Sequence, residues 1–409
     1  MESPNLNRAI QLFENGRYEQ AIPFLQKALS EDAEEFETKY YLAHCFFQTD
    51  SVDKALQLGI ELRRLEPNDA NVHFLLSQIY LHQDNITEAE RSIDKAIAIY
   101  PYAEHLFGQK AYIFLAKKEF EKALQYANEG LNIDPKSSFC LNARTTALTK
   151  LNRKEEAKAS IEYLLQDNPE DAHSHANVGW SALEHNDTKK ALTHFKEALI
   201  LNPNLEYARS GMITAIKSKN KIYNLYLRYA FWMSKKSEKN QWFFVIGIYF
   251  AYRFSVKILS ATGMTYLAIP LIIAYLLFAL GSWIMDPLSN MILLFDKYGK
   301  FLLNKKDKLS GQLFFGALMA AVLSFATSLV FASNYFTMLS LAFLAAILPL
   351  TRGAMADRQN NEFINYAYGA FMIAIALIGP LIGFPQTTVG IIVGVMFIGY
   401  TWLGGLISK

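Results

Sequence analysis

The chain has 409 residues, a net charge of +2, eight histidines and two cysteines, Cys45 and Cys140. The near-neutral total conceals a division, because residues 1–240 carry 30 Lys/Arg and 33 Asp/Glu whereas residues 241–409 carry ten and five. This length and contrast indicate a charged soluble domain followed by an apolar one, and argue against a single domain. The two cysteines lack paired spacing, which argues against a disulfide framework or a zinc knuckle.

Small residues and proline recur every 34 residues in the first half. Because two antiparallel helices approach closely only where facing side chains are small, and because proline ends a helix, the pattern predicts six helical hairpins. One series is Ala21, Ala55, Ala89, Ala123, Ala157 and Ala191. A second series, twelve residues after the first, is Ala33, Pro67, Pro101, Pro135, Pro169 and Pro203. Twelve residues before each lies Ala9, Ala43, Ser77, Ala111, Thr145 and Gly179.

Segments such as GRYEQAIPFLQKAL (16–29) and KKALTHFKEALILNP (189–203) resemble the tetratricopeptide repeat (TPR) family. The resemblance covers about residues 2–205 at the 34-residue spacing of that family. It implies an α-solenoid of six repeats, and residues 205–219 then predict a capping helix over the last repeat. It also implies that the first helices of successive repeats line a concave groove that binds segments of other proteins.

Placing the sequence on the TPR pattern gives a groove with several aromatic or histidine residues and few charges. In TPR domains that clamp C-terminal carboxylates, Lys and Asn occupy positions that here hold Leu6/Ile10, Tyr40/His44 and Phe74/Gln78, so a carboxylate clamp is disfavoured. We expect an aromatic groove for a segment of a partner protein. The alternative is that some aromatics only fill gaps between repeats. The groove candidates are Tyr40, His44, Phe74, Gln78, His82, His105, Tyr112, Asn142, Thr146, Lys150, Asn177 and Trp180.

All eight histidines lie before residue 200. His173, His175 and His185 invite a metal-site interpretation, but no HExxH spacing, cysteine partner or carboxylate cluster supports it. Exposed helix surface is the favoured interpretation. We therefore predict no metal, no cofactor and no nucleic-acid partner.

Apolar stretches after residue 240 predict about six transmembrane helices. The first is interrupted by Arg253 and Lys257, and whether it spans decides the topology. With six spans, all three basic connections (217–239, 297–308 and 352–358) fall on one side, whereas five spans would separate the first two. The positive-inside rule therefore predicts that both termini are cytoplasmic. The predicted spans are 242–259, 264–285, 310–332, 335–351, 364–383 and 388–407.

A basic, aromatic linker at 220–241 is expected to lie on an anionic lipid surface, the alternative being that it packs against the repeats. Residues 287–303 have similar character. Glycines four residues apart predict close helix packing in the apolar half. Pro270, Pro349 and Pro380 should kink or end their helices. The membrane-surface candidates are Lys221, Arg228, Trp232, Lys235, Lys236 and Lys239, and the packing glycines are Gly379, Gly383, Gly390 and Gly394.

The predicted fold class is all-α, with a TPR solenoid at 1–219, the linker at 220–241 and a polytopic membrane domain at 242–409. No catalytic motif is visible, so we expect a protein that is not an enzyme. Residues 310–351 and 364–407 contain no Asp, Glu, Lys, Arg or His, which disfavours an ion-coupled transporter. Asp286, Asp296 and Asp307 are too widely spread for a catalytic pair.

The layout resembles bacterial inner-membrane proteins that join TPR repeats to a multi-span domain. It implies a scaffold or adaptor whose cytoplasmic groove recruits a protein to a membrane complex in protein export, membrane-protein biogenesis or envelope assembly. A second, membrane-protein partner is expected, and the bacterial inner membrane is the expected location. The alternative is a membrane transporter or a lipid-modifying membrane enzyme that is regulated through its TPR domain.

Overall fold

The computed structural model of the protein describes residues 3–33, 35–167, 169–295, 300, 303–356 and 358–407. Within those residues it contains twenty α-helices, a 3₁₀ turn at Gly379–Ile382 and no β-strand. The chain divides into an N-terminal unit, residues 1–212 with 235–237, and a C-terminal unit, residues 213–234 with 238–409. The first boundary thus falls at residue 212 rather than at the predicted 219, because helix α13 (Glu206–Lys217) contributes to both units.

The N-terminal unit consists of six helical hairpins, which confirms the predicted six repeats. The first helices of the hairpins are α1 Pro4–Glu14, α3 Phe36–Gln48, α5 Ala70–His82, α7 Glu104–Ala116, α9 Ser138–Lys150 and α11 Ala172–Glu184. The second helices are α2 Tyr18–Glu31, α4 Val52–Leu65, α6 Ile86–Ile99, α8 Phe120–Ile133, α10 Lys154–Asp167 and α12 Thr188–Leu201.

The 34-residue series of small residues forms the inside of the hairpins. The six alanines from Ala21 to Ala191 are at most 1 % exposed, and the series from Ala9 to Gly179 is buried throughout. A Cβ at Gly179 would lie 2.6 Å from the Phe195 ring, a distance that requires something to shift. Small side chains therefore determine how closely the two helices of each repeat approach.

Helix α13 covers the last repeat, as predicted. Ala208 is fully buried, and a Cβ at Gly211 would lie 2.2 Å from Cε1 of Phe195. The Phe195 ring is thus enclosed by two glycines, Gly179 on α11 and Gly211 on α13. The backbone of α13 lies against the open side of the sixth repeat.

The turns inside the hairpins share one backbone conformation. In each, one residue between the two helices has a positive φ, and these residues are again 34 apart. Glycine, asparagine and aspartate tolerate this left-handed conformation best, so only Lys118 is an unfavourable choice. The residues and angles are Gly16 (69°), Asp50 (58°), Asp84 (59°), Lys118 (61°), Asn152 (61°) and Asn186 (63°).

The C-terminal unit is a separate set of packed helices. Part of its core lies among α18, α19 and α20, where Ala342, Met372 and Val389 are buried together. Pro270 and Pro349 lie inside α16 and α18, and Pro380 lies in the 3₁₀ turn that follows α19. The helices are α14 Lys221–Ser234, α15 Glu238–Ala261, α16 Thr265–Phe295, α17 Lys305–Phe331, α18 Asn334–Met355, α19 Gln359–Ile378 and α20 Gln386–Ile407, with the 3₁₀ turn at Gly379–Ile382.

The stretch 287–303 begins inside a helix rather than as a separate interfacial one. Residues 287–295 continue α16 through Pro287, ten residues beyond the predicted end of the second span. Residues 296–299 and 301–302, including Asp296 and Lys297 of the predicted basic connection, lie outside the described part of the chain.

Four helices of the C-terminal unit are long and apolar enough to cross a membrane, at 239–261, 305–331, 334–355 and 359–382. Two shorter apolar helical stretches occur within the described part of the chain, at Trp283–Phe295 and Gln386–Trp402. Large apolar side chains face outward on α17, where Leu329, Val330 and Phe331 are each at least 70 % exposed.

Candidate partner-binding groove

The groove candidates all lie on the first helices of repeats two to six. Most are half-buried, so each has one side packed and one side accessible, whereas His82 is exposed. They are Tyr40 and His44 on α3, Phe74, Gln78 and His82 on α5, His105 and Tyr112 on α7, Asn142, Thr146 and Lys150 on α9, and Asn177 and Trp180 on α11.

An uncharged aromatic cluster lies at the N-terminal end of the array. The His44 ring lies 4.8 Å from that of Tyr40 and 5.9 Å from that of Phe13 on α1, both edge to face. Burial lowers the pKa of His44 to about 4, so its ring is neutral at pH 7. Burial, with a smaller contribution from Asp69, raises the pKa of Tyr40 to about 12. This part of the groove offers rings and no charge.

Further along, aromatic residues contact the neighbouring repeat. Phe74 lies edge to face with His105 at 4.9 Å, and Phe47 with His82 at 5.7 Å. Such pairs contribute about 0.5–1.5 kcal/mol beyond the area they bury. These aromatics therefore fill gaps between repeats, as the alternative interpretation holds, and present only part of each ring to the groove.

The C-terminal end of the groove is closed by Tyr207 of the capping helix. Its hydroxyl donates to Oδ1 of Asn177 at 3.0 Å, and its carbonyl accepts from Nε1 of Trp180 at 3.2 Å. Tyr112 lies close to Asn177 as well. Sequence reasoning missed Tyr207, although its place in the first turn of a predicted capping helix was a usable signal.

Asn142 does not line the groove, contrary to the prediction. Its side chain is 4 % exposed, and its Nδ2 donates to Oγ of Ser174 at 3.1 Å, so it lies beneath the groove surface and joins α9 to α11. A second buried pair, Thr149 with Ser181 at 2.8 Å, joins the same helices. Thr146 donates to the carbonyl of Asn142 at 2.9 Å within its own helix.

Lys150 is bound by an acidic residue that was not predicted. It forms an ion pair with Glu184, whose side chain is 7 % exposed. Both are the last residues of their helices, and they lie 34 positions apart. Opposite charges at the same position of consecutive repeats were therefore a signal for this pair.

The linker candidates do not all belong to the same unit of the chain. Lys235 is half-buried in the N-terminal unit, where its ammonium lies 3.4 Å from Oε2 of Glu184 and donates to the carbonyl of Thr149 at 3.1 Å. The carbonyl of Lys236 accepts from Nζ of Lys118 at 3.3 Å. Contact with the repeats thus replaces the predicted lipid contact for Lys235.

Helix α14 carries most of the other linker candidates and has two distinct faces. Tyr223 and Leu227 are buried, and Trp232 lies edge to face with Phe244 of α15 at 4.9 Å. Lys221 and Arg228 are exposed on the other face with Ile222 (63 %) and Leu225 (69 %). Lys239, at the start of α15, is exposed, with Nζ 5.9 Å from the centre of the Phe243 ring.

Of the four predicted packing glycines, only Gly379 makes a close approach, since a Cβ there would lie 2.9 Å from Val389. Gly383 has φ +94° and ends the 3₁₀ turn. Within the described residues, a Cβ at Gly390 or Gly394 would meet nothing within 4 Å, so their packing role inside this chain is not observed. Close approaches occur at other glycines instead, namely Gly311, Gly353, Gly369 and Gly404.

The histidines do not gather into a metal site. His175 lies 3.1 Å from His194 through their Nδ1 atoms and 3.0 Å from the carbonyl of Pro169. Burial and the nearby His175 lower the pKa of His194 to about 4. His173 is exposed, and His185 lies 2.8 Å from the carbonyl of Ser181. No group of three or more metal-ligating side chains occurs among the residues that the structure describes.

A solenoid of paired helices with a groove along its first helices defines a helical-repeat scaffold. Tetratricopeptide repeat models match residues 12–79, 58–104, 105–137 and 144–206. The six hairpins of the N-terminal unit are therefore tetratricopeptide repeats, which supports a protein-interaction scaffold in this part of the chain.

Individual relatives resemble the chain only distantly. The Saccharomyces cerevisiae anaphase-promoting complex subunit CDC16 is 25 % identical over 183 residues, which is 43 % of this chain and about a fifth (22 %) of that protein. The crystal structure of the APC/C hetero-tetramer Cut9–Hcn1 is 19 % identical over 52 % of this chain and 42 % of its own, with a TM-score of 0.45. A tetratricopeptide repeat protein from Parabacteroides merdae is 16 % identical over 52 % and 83 %, with a TM-score of 0.47.

Proposed function

We propose that this protein is a membrane-anchored adaptor, whose TPR groove recruits a protein segment to a complex in the membrane. The observation that carries the proposal is the combination of an interaction solenoid with helices of membrane-spanning length in one chain. The proposed location is the bacterial inner membrane, with the repeats and both termini on the cytoplasmic side. Protein export, membrane-protein biogenesis and envelope assembly are the processes in which such an adaptor would act.

The groove supports this proposal through its chemistry. Neutral rings at Tyr40, His44 and Phe74 offer apolar contact area, while Gln78 and His82 present polar groups beside them. Rigid aromatic side chains provide binding area with little loss of rotamer entropy. A segment with apolar anchors spaced along it fits such a surface.

The C-terminal unit supports membrane anchoring through its outward surface. Side chains such as Val330, Leu381 and Trp402 are 77–83 % exposed within the described chain, which is unfavourable in water and favourable in lipid. On α14, exposed Ile222 and Leu225 lie beside Lys221 and Arg228, an arrangement typical of a helix on an anionic lipid surface.

Partner capture tests the proposal directly. The full chain and a chain lacking residues 2–205 would be purified from native membranes in mild detergent, and their bound proteins quantified by mass spectrometry. We expect a stoichiometric partner to be lost with the repeats. If every partner is retained, and if proteoliposomes of the protein transport or modify a substrate, the adaptor role is wrong and the transporter or enzyme alternative replaces it.

Substitutions in the groove refine this test. Gln78→Arg combined with His82→Glu changes charge on the accessible side of α5 and should reduce capture at least about tenfold. Lys95→Glu, on an exposed position of the second helix α6, is the matched control and should leave capture unchanged. Equal capture by both variants would remove the groove from the proposal.

Topology is tested by protease protection. In inside-out vesicles of the inner membrane, added protease should degrade the N-terminal unit and leave apolar fragments protected. In right-side-out vesicles, the repeats should survive. Degradation in the second preparation alone would place the repeats outside the cytoplasm and contradict the proposal.

A further inference from the structure

One non-helical segment of the N-terminal unit, Lys235–Ser237, lies on the C-terminal ends of the first helices. The ammonium of Lys235 is bound at the ends of α9 and α11, by the carbonyl of Thr149 and the carboxylate of Glu184. The ammonium of Lys118, just beyond the end of α7, donates to the next carbonyl of the segment. Three consecutive repeats therefore contact these residues.

Glu184 is suited to hold a cation. Its side chain is 7 % exposed and is paired with Lys150, while its buried Oε2 accepts no hydrogen bond and lies 3.4 Å from Nζ of Lys235 in an ion pair. A buried carboxylate is costly unless its charge is compensated, so it favours an approaching ammonium. The carbonyl of Thr149 lies in the last turn of α9, where the helix dipole also favours positive charge.

Lys118 provides the complementary group. Its backbone is left-handed, with φ +61°, at a position where other repeats have Gly, Asp or Asn. Its ammonium donates to the main-chain carbonyl of Lys236, which any residue could supply. The three repeats thus bind one lysine side chain and donate to the main-chain carbonyl of the residue that follows that lysine.

We infer that these residues form a lysine-binding subsite at the edge of the groove, and that residues 235–237 are its intramolecular occupant. The subsite consists of Glu184, the carbonyl of Thr149 and Lys118. This inference rests on the proposed function, because it specifies the chemistry of the captured segment. That segment carries a lysine followed by a residue whose main-chain carbonyl is accessible, and it binds by displacing Lys235. A tethered occupant competes at a local concentration in the millimolar range, so a partner binds more tightly once the tether is weakened.

A peptide-binding experiment on the full chain in detergent tests the inference. The probe is a fluorescent peptide with the sequence of residues 232–240, WMSKKSEKN. Lys235→Ser in the protein removes the internal ammonium and should lower the Kd of the probe about tenfold relative to the unaltered chain. Adding Glu184→Gln to that variant should abolish the gain, and Lys118→Met should weaken binding about threefold. A probe with serine in place of its first lysine should not bind.

Controls separate local from general effects. Glu162→Gln, at an exposed position of α10, should behave like the parent Lys235→Ser chain. Thermal melts identify any variant that has unfolded, and Lys118→Met then provides the independent readout. Equal affinity of the probe for the chains with and without Glu184 would overturn the inference, as would no gain from Lys235→Ser.

The experiment is distinct from partner capture. If native partners are captured but the probe does not bind the Lys235→Ser chain, the subsite is wrong and the adaptor role stands. If the probe binds as expected but deletion of the repeats loses no native partner, the adaptor role is wrong and the subsite stands.

Discussion

In the N-terminal unit, alanines 34 residues apart are fully buried where paired helices meet, whereas close contacts in the C-terminal unit occur at glycines without regular spacing. The solenoid repeats one packing arrangement, so each hairpin requires a small side chain at the same position. Each helix of the C-terminal unit has different neighbours. Regular spacing of small residues therefore indicates close helix packing in the first unit. In the second unit, a glycine allows close packing only where another helix lies against it.

The largest effect is expected where two helices enclose one ring. Gly211→Ala places a methyl group 2.2 Å from Cε1 of Phe195 and should lower the free energy of unfolding by about 3 kcal/mol. Thermal or urea unfolding of the purified chain measures it. Ser210→Ala, at the exposed neighbouring position, is the control and should change stability by less than about 0.5 kcal/mol. Equal effects would show that α13 does not pack on Phe195.

A matched pair tests the glycines of the C-terminal unit. A Cβ at Gly353 would lie 2.7 Å from the Tyr366 ring, so Gly353→Ala should destabilise by about 2 kcal/mol. A Cβ at Gly316 would meet nothing within 4 Å, and Gly316→Ala should be neutral or slightly stabilising. Melting temperatures of both variants in one detergent make the comparison. The reverse order would contradict the packing described for α18 and α19.

Acid should weaken the solenoid through His44. Its pKa falls from 6.5 to about 4 because burial disfavours the charged ring. The unfolded chain binds a proton below pH 6.5 while the folded chain does not, so stability is lost as pH falls from about 6.5 towards 4. Relative to His44→Asn, the unaltered chain should lose about 1–2 kcal/mol more between pH 7 and pH 4.5. If the unaltered chain and His44→Asn lose stability equally as the pH falls, the His44 ring is not desolvated. His82→Asn, at an exposed position, is the control.

The smallest effect concerns the fourth intra-repeat turn. Lys118 adopts φ +61°, which costs about 1 kcal/mol for a lysine and less for asparagine. Lys118→Asn should therefore stabilise the solenoid by about 0.5–1 kcal/mol, and Asn152→Ala should destabilise it by a similar amount. Chemical denaturation resolves such differences. Destabilisation by Lys118→Asn would indicate that the contact with the Lys236 carbonyl outweighs the backbone cost.

The six repeats were predictable because the requirement for small side chains acts at fixed positions of each hairpin. The contacts of Tyr207 and Glu184 were harder to predict, since they depend on how one repeat is placed on the next. Asn142 shows the limit clearly. Its helix position indicated a groove-facing side chain, but the neighbouring Ser174 buries it. In the apolar half, the spacing of Gly390 and Gly394 identified a face of α20 but not whether a helix lies against it.

The recurring left-handed residue between paired helices has a consequence for the length of the scaffold. Every junction from Gly16 to Asn186 uses the same local backbone geometry, so one junction can in principle be joined to any other. A 34-residue module could be added or removed between two such turns, leaving α13 to cap whichever hairpin comes last. The length of the binding surface would then change by one repeat at a time. The side chains that each repeat contributes to that surface could vary independently.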